Sequence, residues 1–320
     1  MRVLSGSRVK DGLRRIRPAE SPAAAPGAEG PPRVVVMTMV RDEGTMLDRW
    51  VRHYSRHVGV ENLLVLDDGS VDGSTDGLPC TVHRLPGLPG GRDYEKRRVE
   101  LASGLAGGLL AVYDVVVFVD ADEFLVPDPA RHDSLVDFLA TRPDREVLAP
   151  AALNVVHHLG VEDDLDPEQP VLGQRRFAKF VPLMCKPSVK RVPAQWRFAT
   201  HGIMAPFAVD PELFMVHLKF FDRDTLRRVA DHRRALVDAD GRASRSSWSV
   251  GGEEMTAMLG DFVAGVDPES VPEFDPSRVD LDAVVYQDTD GAYRTSKPGQ
   301  MKAMQTLPLV RVPDRLLGLV

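Results

Sequence analysis

The sequence predicts an α/β protein with a mostly parallel central sheet flanked by helices. Short, fully apolar segments alternate with segments of helical periodicity over residues 34–127. Fully apolar strands are typical of sheets covered on both faces, and their alternation with helices indicates βαβ units. With 320 residues and 43% hydrophobic content, the chain can also bury a sizeable core.

The elements of the first half follow in a regular order. RVVVMTMV (33–40) is predicted as the first strand, NLLVLDD (62–68) as the second and CTVHRL (80–85) as a short third. The first helix ends at Gly59, because apolar residues recur before it at spacings of three and four: Met46, Leu47, Trp50, Val51, Tyr54 and Val58. A second helix is expected from about Tyr94 to Val112, followed by a strand over VVVFVDADEF (115–124).

After Pro127 the alternation becomes less regular. Short strands are predicted over five segments: 145–155, 175–181, 187–192, 200–209 and 213–221. Residues 222–237 read as an amphipathic helix whose inward positions are Leu226, Val229, Leu236 and Val237. We therefore expect a main domain over 34–240, in which 128–240 is the less regular half, and a C-terminal extension over 241–320 that packs on it.

Residues 1–33 are predicted to be a flexible leader. They hold seven basic and three acidic residues and run into ESPAAAPGAEGPP, which cannot repay its ordering entropy by burial. Val9, Leu13 and Ile16 could line a short basic helix on an anionic membrane or a partner, but a solvated tail is favoured. The formal net charge of the whole chain is −7, so the remaining body is more acidic still, which argues against a nucleic-acid partner.

The cysteine pattern and the apolar segments favour a cytoplasmic protein. Cys80 and Cys185 form neither a disulfide framework nor a zinc-binding spacing. The basic start is not followed by an apolar signal segment, and the most apolar stretch, 101–119, is interrupted by Asp114. We expect no transmembrane segment, and the basic leader is the candidate for peripheral contact at the inner face of a membrane.

Polar clusters follow three of the predicted strands. The first strand leads into Arg41–Glu43, the second ends at Asp67 and Asp68, and the strand from Val115 delivers Asp120 and Asp122. Ligands of open α/β sheets bind outside the carboxyl ends of the strands, so these clusters should converge. The spacing of Asp120 and Asp122 lets both carboxylates reach Mg²⁺ or Mn²⁺, which prefer oxygen ligands.

The stretch DDGSVDGSTDG (67–77) needs a separate explanation. It is not a calcium loop, because position 12 falls on Leu78 or Pro79 instead of Glu. Neither a GxGxxG nor a GxxxxGK motif is present. It reads as a strand end whose Asp67 or Asp68 could accept hydrogen bonds from a base or ribose, followed by a turn capped by Asp72 and Asp76.

Taken together, these motifs resemble those of the family 2 glycosyltransferases with the GT-A fold. The segment from VVVMTMVRDE to DDGSVDGS (34–74) looks like their opening, and VVVFVDADEFLVP looks like their DxD motif in its DADEF version. The resemblance covers roughly 34–127, with a weaker continuation to about 234. It implies a GT-A nucleotide-sugar-binding half and an acceptor half. It also implies transfer of a sugar from a nucleotide sugar, most often a UDP-sugar, to an acceptor hydroxyl, with inversion at the anomeric carbon.

The resemblance also implies roles for individual residues. Asp67 or Asp68 would hold the base, and Asp120 and Asp122 would hold a divalent metal, Mn²⁺ or Mg²⁺, that bridges the diphosphate. Lys186 could meet the diphosphate. The nucleoside would be bordered by Thr38, Val40, Arg41 and Glu43. His217 could complete the metal or phosphate site.

The general base is expected beyond the DxD motif. The candidates are His201, Glu212, and Asp163 or Asp164. His201 is favoured because an imidazole titrates near the working pH. The partners would be a nucleotide sugar and an unidentified hydroxyl acceptor, such as a glycan, a lipid-linked sugar or a small molecule.

Other polar and aromatic residues are given structural interpretations. Arg97 and Arg98 are expected on a solvated helix face, and Trp196 and Trp248 are expected in packing. GQRRF (173–177) is similar to a motif of processive polysaccharide synthases, but the predicted membrane spans of such enzymes are absent, which favours a non-processive enzyme.

Three alternatives remain open from the residues. A haloacid-dehalogenase-like phosphatase also carries DxD after an apolar strand, but on its first strand, whereas here two βα units precede it and Phe124 stands at the fifth position. A nucleotidyltransferase would need a Gly-rich basic signature after the first strand, which this sequence lacks. The third alternative is a non-catalytic sugar-nucleotide-binding protein.

Overall fold

The computed structural model describes residues 30–197, 199–244, 246–295 and 304–320. The predicted leader lies outside the described residues, apart from its last four. The compact unit begins at Pro31. Arg33 belongs to it, because its guanidinium forms a 2.9 Å ion pair with Asp114.

The first half follows the predicted order. Its elements are β1 (Val34–Val40), α1 (Gly44–Val58), β2 (Leu63–Asp67), β3 (Thr81–Arg84), α2 (Tyr94–Leu109) and β4 (Val115–Phe118). Leu47, Trp50 and Tyr54 of α1 are fully buried, as their spacing predicts. Helix α2 ends three residues before the predicted Val112, because the following N–H groups bond three residues back, in a tightened last turn.

The second half holds shorter elements. They are β5 (Glu123–Pro127), α3 (Leu135–Ala140), β6 (Val147–Val156), α4 (Val171–Gln174, a single irregular turn), β7 (Phe177–Phe180), β8 (Val189–Lys190), β9 (Trp196–Arg197), β10 (Gly202–Ile203), β11 (Ala208–Phe220), α5 (Arg223–Asp240), α6 (Gly252–Val263), β12 (Tyr286–Gln287), β13 (Tyr293–Arg294) and β14 (Val310–Arg311). Among the described residues, none of the helices combines the length and the apolar character that a bilayer span requires.

The strand predicted over 115–124 is two strands. Strand β4 ends at Phe118, and a turn closed by the Glu123 N–H on the Asp120 carbonyl (3.1 Å) separates it from β5. Strand β5 then runs antiparallel to β11, with Glu123 opposite His217. The prediction of one continuous strand is therefore wrong, and Asp120 and Asp122 lie at a corner between two strands instead of within one.

The main sheet has the order β14-β7-β6-β8-β4-β1-β2-β3, and β11 joins it by pairing with β6 and β5. Strand β1 pairs in parallel with β2 and β4, and β2 pairs in parallel with β3. The carboxyl ends of these strands therefore share one edge. The predicted α/β class with a parallel central sheet and flanking helices is confirmed, and antiparallel pairs enter through the irregular second half.

Helices cover both faces of the sheet. Trp50 and Tyr54 of α1 pack on one face, and Val99, Ala102 and Ala106 of α2 pack on the other. Leu226 of α5 is buried as predicted, whereas the other predicted inward residues, Val229, Leu236 and Val237, are half-buried. Helix α6, in a region without a sequence pattern, packs its apolar side against α5 and β11: Met255, Leu259 and Phe262.

Candidate active site

A cavity of about 320 Å³, here called the main cavity, opens at the carboxyl edge of the parallel strands. Strand β1 and its following loop form one wall, and α2 forms another. The turn between β4 and β5, the C-terminal end of β11 and Arg233 near the middle of α5 also contribute to its walls. The polar clusters predicted to converge, those after β1, β2 and β4, all contribute residues: Arg41, Glu43, Asp68, Asp120 and Asp122.

Asp120 is neutralised by two cations. Arg98 of α2 ion-pairs with one carboxylate oxygen, and Lys186 Nζ lies 2.9 Å from the other. Lys186 also lies 2.5 Å from the Glu123 carboxylate. Burial alone would raise the pKa of Asp120, but Arg98 and Lys186 outweigh it and lower that pKa. The expectation of a solvated helix face is wrong for Arg98, which is buried, while Arg97 is exposed.

Asp122, Glu123 and His217 form a group that could hold a metal ion. Their ligand atoms all lie within 4.8 Å of one another. His217 Nδ1 lies 2.8 Å from Asn154 Oδ1, so the amide oxygen accepts the Nδ1–H and holds the ring with Nε2 toward the acidic turn. Nε2 faces Asp122 Oδ2 at 3.6 Å, too far for a good hydrogen bond. This donor set of two carboxylates and one imidazole fits a divalent cation.

Asp122 is held in its ionised form. Burial would raise the pKa of its carboxyl, but His217, when it is protonated, and Arg233 outweigh burial and lower that pKa. Arg233 Nη2 donates to Glu43 Oε1 at 3.0 Å and lies 3.9 Å from Asp122 Oδ2. The Arg233 guanidinium also lies 5.3 Å from the centre of the Trp248 ring. Arg233 thus ties the loop after β1 to the acidic turn.

Lys219 is a second, half-buried cation at this end of the cavity. Its Nζ donates to Ser247 Oγ at 2.9 Å, and burial, together with Arg233, lowers its pKa to about 8. Neither Lys219 nor Arg233 is among the residues predicted from the sequence. Two signals could have found them: Lys219 shares the face of β11 with His217, two residues earlier, and Arg233 continues the inward stripe of Leu226 and Ala230 on α5.

The predicted nucleoside residues divide into two groups. Val40, Arg41, Glu43 and Asp68 line the main cavity. Thr38 is fully buried in β1 and Asp67 is buried below the turn, and neither lines it. Asp67 accepts hydrogen bonds from Ser70 N and Thr75 Oγ1, each at 2.7 Å. Although burial opposes it, these bonds lower the pKa of Asp67, which therefore acts as a turn-forming carboxylate.

Asp68 has protein donors of its own. Leu88 N donates to its Oδ1 at 2.5 Å and the Tyr94 hydroxyl donates to its Oδ2 at 3.0 Å. Arg41 Nη1 donates to the Asp68 carbonyl oxygen at 3.0 Å. The Asp68 carboxylate keeps lone pairs at the cavity, so it can still accept from a ligand.

The candidates for a general base lie in different places. His201 lines the main cavity with Nδ1 2.8 Å from the Leu183 carbonyl oxygen. Burial and the nearby Lys186 lower the pKa of His201 to about 3, so the ring is neutral. Glu212 instead meets His132 (3.0 Å) and Arg142 (2.7 Å) at the far end of β11, outside this cavity. Asp163 and Asp164 border a separate surface depression.

The remaining residues singled out by the sequence take structural positions, with one exception. Trp196 is buried and its Nε1 donates to the Pro187 carbonyl at 2.7 Å. Arg175 of GQRRF is buried and its Nε donates to the Phe221 carbonyl at 2.6 Å. Asp72 accepts from Ser74 N at 2.9 Å, as a turn cap does. Trp248 is the exception, because it is half-buried and lines the main cavity.

Comparisons with known proteins give partial structural likenesses. No protein-family model matches the sequence, and no curated protein matches it. Glucosyl-3-phosphoglycerate synthase from Mycobacterium tuberculosis, in complex with Mn²⁺ and UDP-glucose, is 22% identical over 38% of this chain and 44% of its own, with a TM-score of 0.28. This chain therefore spans less than half of the synthase.

Two further solved structures are similar in part. A mannosyltransferase from Pyrobaculum calidifontis, in complex with GDP-mannose and Mn²⁺, is 15% identical over 75% of this chain and 78% of its own, with a TM-score of 0.37. A cytidylyltransferase from Leptospira borgpetersenii is 17% identical over 37% of this chain and 53% of its own, with a TM-score of 0.24. The architecture of the present chain is established by its own strand order.

Proposed function

We propose that this chain is a metal-dependent, non-processive glycosyltransferase that moves a hexosyl group from a nucleotide sugar to an acceptor hydroxyl with inversion. Sugar transfer is also the reaction for which the Mycobacterium synthase and the Pyrobaculum mannosyltransferase are named. The donor is expected to be a UDP-sugar, since the motifs of residues 34–127 resemble those of UDP-sugar-dependent family 2 enzymes.

The observation that carries the proposal is the position of His217 Nε2 beside Asp122. Nε2 lies 3.6 Å from Asp122 Oδ2 without a good hydrogen bond, and Asn154 holds the imidazole in that orientation. Such an arrangement is stabilised by a cation between the two groups. Asp122 and His217 would hold the metal, with Glu123 as the third ligand. A bound Mn²⁺ or Mg²⁺ would stabilise negative charge on the departing nucleoside diphosphate.

For Asp120 we propose a part other than the metal ligation expected from the sequence. Because Arg98 and Lys186 already neutralise its carboxylate, Asp120 positions these two cations toward the cavity. Arg98 and Lys186 can then bind diphosphate oxygens by charge-assisted hydrogen bonds. Val40, Arg41, Glu43 and Asp68 remain the proposed contacts of the nucleoside.

The acceptor hydroxyl requires a base on the face of the sugar opposite the departing diphosphate. Among the predicted candidates, His201 is the one that lies in the main cavity, where the Leu183 carbonyl holds its ring through Nδ1. A pKa of about 3 makes its ring a weak base. The negative charge of a donor bound in the same cavity would favour the protonated ring and raise that pKa. We therefore retain His201 as the proposed base.

The proposal is tested by nucleoside diphosphate release from UDP-glucose and GDP-mannose, with Mn²⁺ or with EDTA. Wild type should release the nucleotide only with the metal, and Asp122→Asn should lower the rate at least 100-fold, because an amide is a poor ligand for a hard cation. Asp48→Asn, the same substitution at an exposed position of α1, should keep the wild-type rate.

Turnover that is unchanged in EDTA, or in Asp122→Asn, would show that the metal role is wrong. Release of phosphate from simple monoesters, abolished by Asp120→Asn, would support the phosphatase instead. Binding of the nucleotide sugar with no turnover to water or to any alcohol would support the non-catalytic alternative.

A further inference from the structure

A second cavity of about 280 Å³, here called the side chamber, lies next to the main cavity. The two cavities share five wall residues: Glu43, Asp122, Lys219, Arg233 and Ser247. Arg233 spans this shared wall, because it contacts Glu43 on one element and approaches Asp122 on another. One end of a ligand in the side chamber would therefore lie about one side chain away from the proposed metal ligands.

The side chamber is polar at one end and apolar at the other. The shared wall carries its charged groups, whereas the body is lined by Met46, Leu218, Phe221, Leu226, Ala230 and Met255. All six side chains are buried. Small-molecule sites have this composition, in which a few polar groups orient a ligand that is held mainly by apolar contact.

Several charged groups of the side chamber have protein partners. Glu43 is paired with Arg233, and Lys219 donates to Ser247. Asp42 Oδ1 accepts from the Val71 and Asp72 N–H groups at 2.7 and 3.2 Å. Glu43, Lys219 and Asp42 therefore do not require an ionic ligand, and burying one beside the carboxylates of the chamber would be costly.

We infer that the side chamber holds the acceptor, and that this acceptor is an uncharged alcohol with an apolar body. Its hydroxyl would point toward the shared wall, and its apolar part would contact Leu218, Phe221 and Leu226. The inference deepens the proposed function, and it rests on that function for the identification of the ligand as the acceptor. The binding preference itself follows from the lining of the side chamber alone.

The test compares octyl β-D-glucoside, below its micelle concentration, with methyl β-D-glucoside. These probes share one sugar and differ only in the apolar body. Isothermal titration without a donor should show that wild type binds the octyl compound at least tenfold more tightly. Ala230→Leu fills the side chamber and should abolish that preference. Ala235→Leu places the same side chain on the exposed face of α5 and should keep it.

Equal affinity of wild type for both glucosides, or a preference that survives in Ala230→Leu, would overturn the inference. If circular dichroism shows that Ala230→Leu does not fold, Val229→Phe takes its place, since Val229 lines the side chamber but is only half-buried. Preferential binding of glycerol 3-phosphate over both glucosides would also overturn it. Donor turnover is measured separately, so its failure would contradict the proposed function and leave the binding result standing.

Discussion

At the scale of single residues, Lys186 determines the charge balance of the acidic turn. It is almost fully buried and contacts two carboxylates, Asp120 at 2.9 Å and Glu123 at 2.5 Å. The pKa of Glu123 is raised, chiefly by burial, and the two carboxylates raise the pKa of Lys186. Without this amine, Glu123 would lose its 2.5 Å cationic partner and Asp120 would keep the Arg98 guanidinium.

We expect Lys186→Met to destabilise the fold by about 3 kcal/mol, because it leaves buried carboxylates without their cation. Urea unfolding measures this loss. Lys190→Met is the matched control: Lys190 is equally buried, but its Nζ donates to the Ala194 carbonyl (2.9 Å) and has no carboxylate partner in the described part of the chain. Its loss should be nearer to 1 kcal/mol.

Adding Glu123→Gln to Lys186→Met should restore part of the lost stability, since one uncompensated charge disappears. If Lys186→Met and Lys190→Met lower the free energy of unfolding by the same amount, the ion pairs around Asp120 do not contribute to stability as described.

Neighbouring acidic residues of one motif also have different surroundings in the structure. Asp67 and Asp68 are adjacent in DDGS, and the sequence left open which of them meets a ligand. The alternation of side chains along β2 sends Asp67 into the turn and Asp68 toward the cavity. Asp120 and Asp122 divide in the same way, the first toward two cations and the second toward His217.

At the scale of elements, α1 buries two histidines against β5 and the C-terminal residues. His53 Nε2 lies 2.9 Å from the Leu125 carbonyl oxygen, and its ring lies 4.8 Å from that of His57. Burial, with the neighbouring histidine, lowers the pKa of His53 to about 3, and burial with Arg56 lowers that of His57 to about 4. Both rings are therefore neutral in the folded protein.

This burial should make the fold sensitive to acid. The unfolded chain binds a proton at His53 below about pH 6.5 and the folded chain does so only near pH 3, so stability is present above pH 6.5 and is lost as the pH falls toward 3. Between pH 7 and pH 4.5, the His53 contribution to this loss is on the order of 2 kcal/mol. Urea unfolding of His53→Leu at both pH values should show a smaller decrease than wild type.

His83→Leu is the control for that measurement, because His83 is exposed on β3. It should retain the wild-type decrease between pH 7 and pH 4.5. An undiminished decrease in His53→Leu would mean that other groups cause the acid sensitivity.

At the scale of the whole molecule, the described C-terminal residues, 304–320, belong to the core of the compact unit that begins at Pro31. Strand β14 pairs with β7, and Leu172 O accepts from the Gly318 N–H at 2.8 Å. Lys179 Nζ donates to the carbonyls of Met304, Gln305 and Leu307, and Met304 and Leu307 line the main cavity. Described residues from 241–320 therefore pair with the main sheet and contribute to the cavity wall.

Leu316→Ala should destabilise the protein by about 3 kcal/mol, since Leu316 is 0% exposed and its loss leaves a cavity in the main core. Leu159→Ala, at a side chain that is 38% exposed, should change stability by no more than about 0.5 kcal/mol. Chemical unfolding of both variants gives the comparison. Similar small losses in both would show that the C-terminal residues are an appendage to an independently stable core.

The amino-acid sequence is sufficient to predict the fold class, the order of the first-half elements and the edge of the sheet at which polar residues gather. These three features follow from local periodicity and from the polarity of strand ends. Both are properties of short segments and do not depend on the elements that pack against them. It also singled out Asp68, Asp122, His201 and His217, all of which the structure brings to the main cavity.

The tertiary structure is needed to show which partner each of these residues has. The break between β4 and β5, the burial of Arg98, and the positions of Lys219, Arg233 and Asn154 depend on β11, α2 and α5 meeting the acidic turn. Glu212 and Asp163 had suitable chemistry in the sequence, but the fold carries them elsewhere. The physical reason is that charge pairing and desolvation act across distances in space, between residues that lie far apart along the chain.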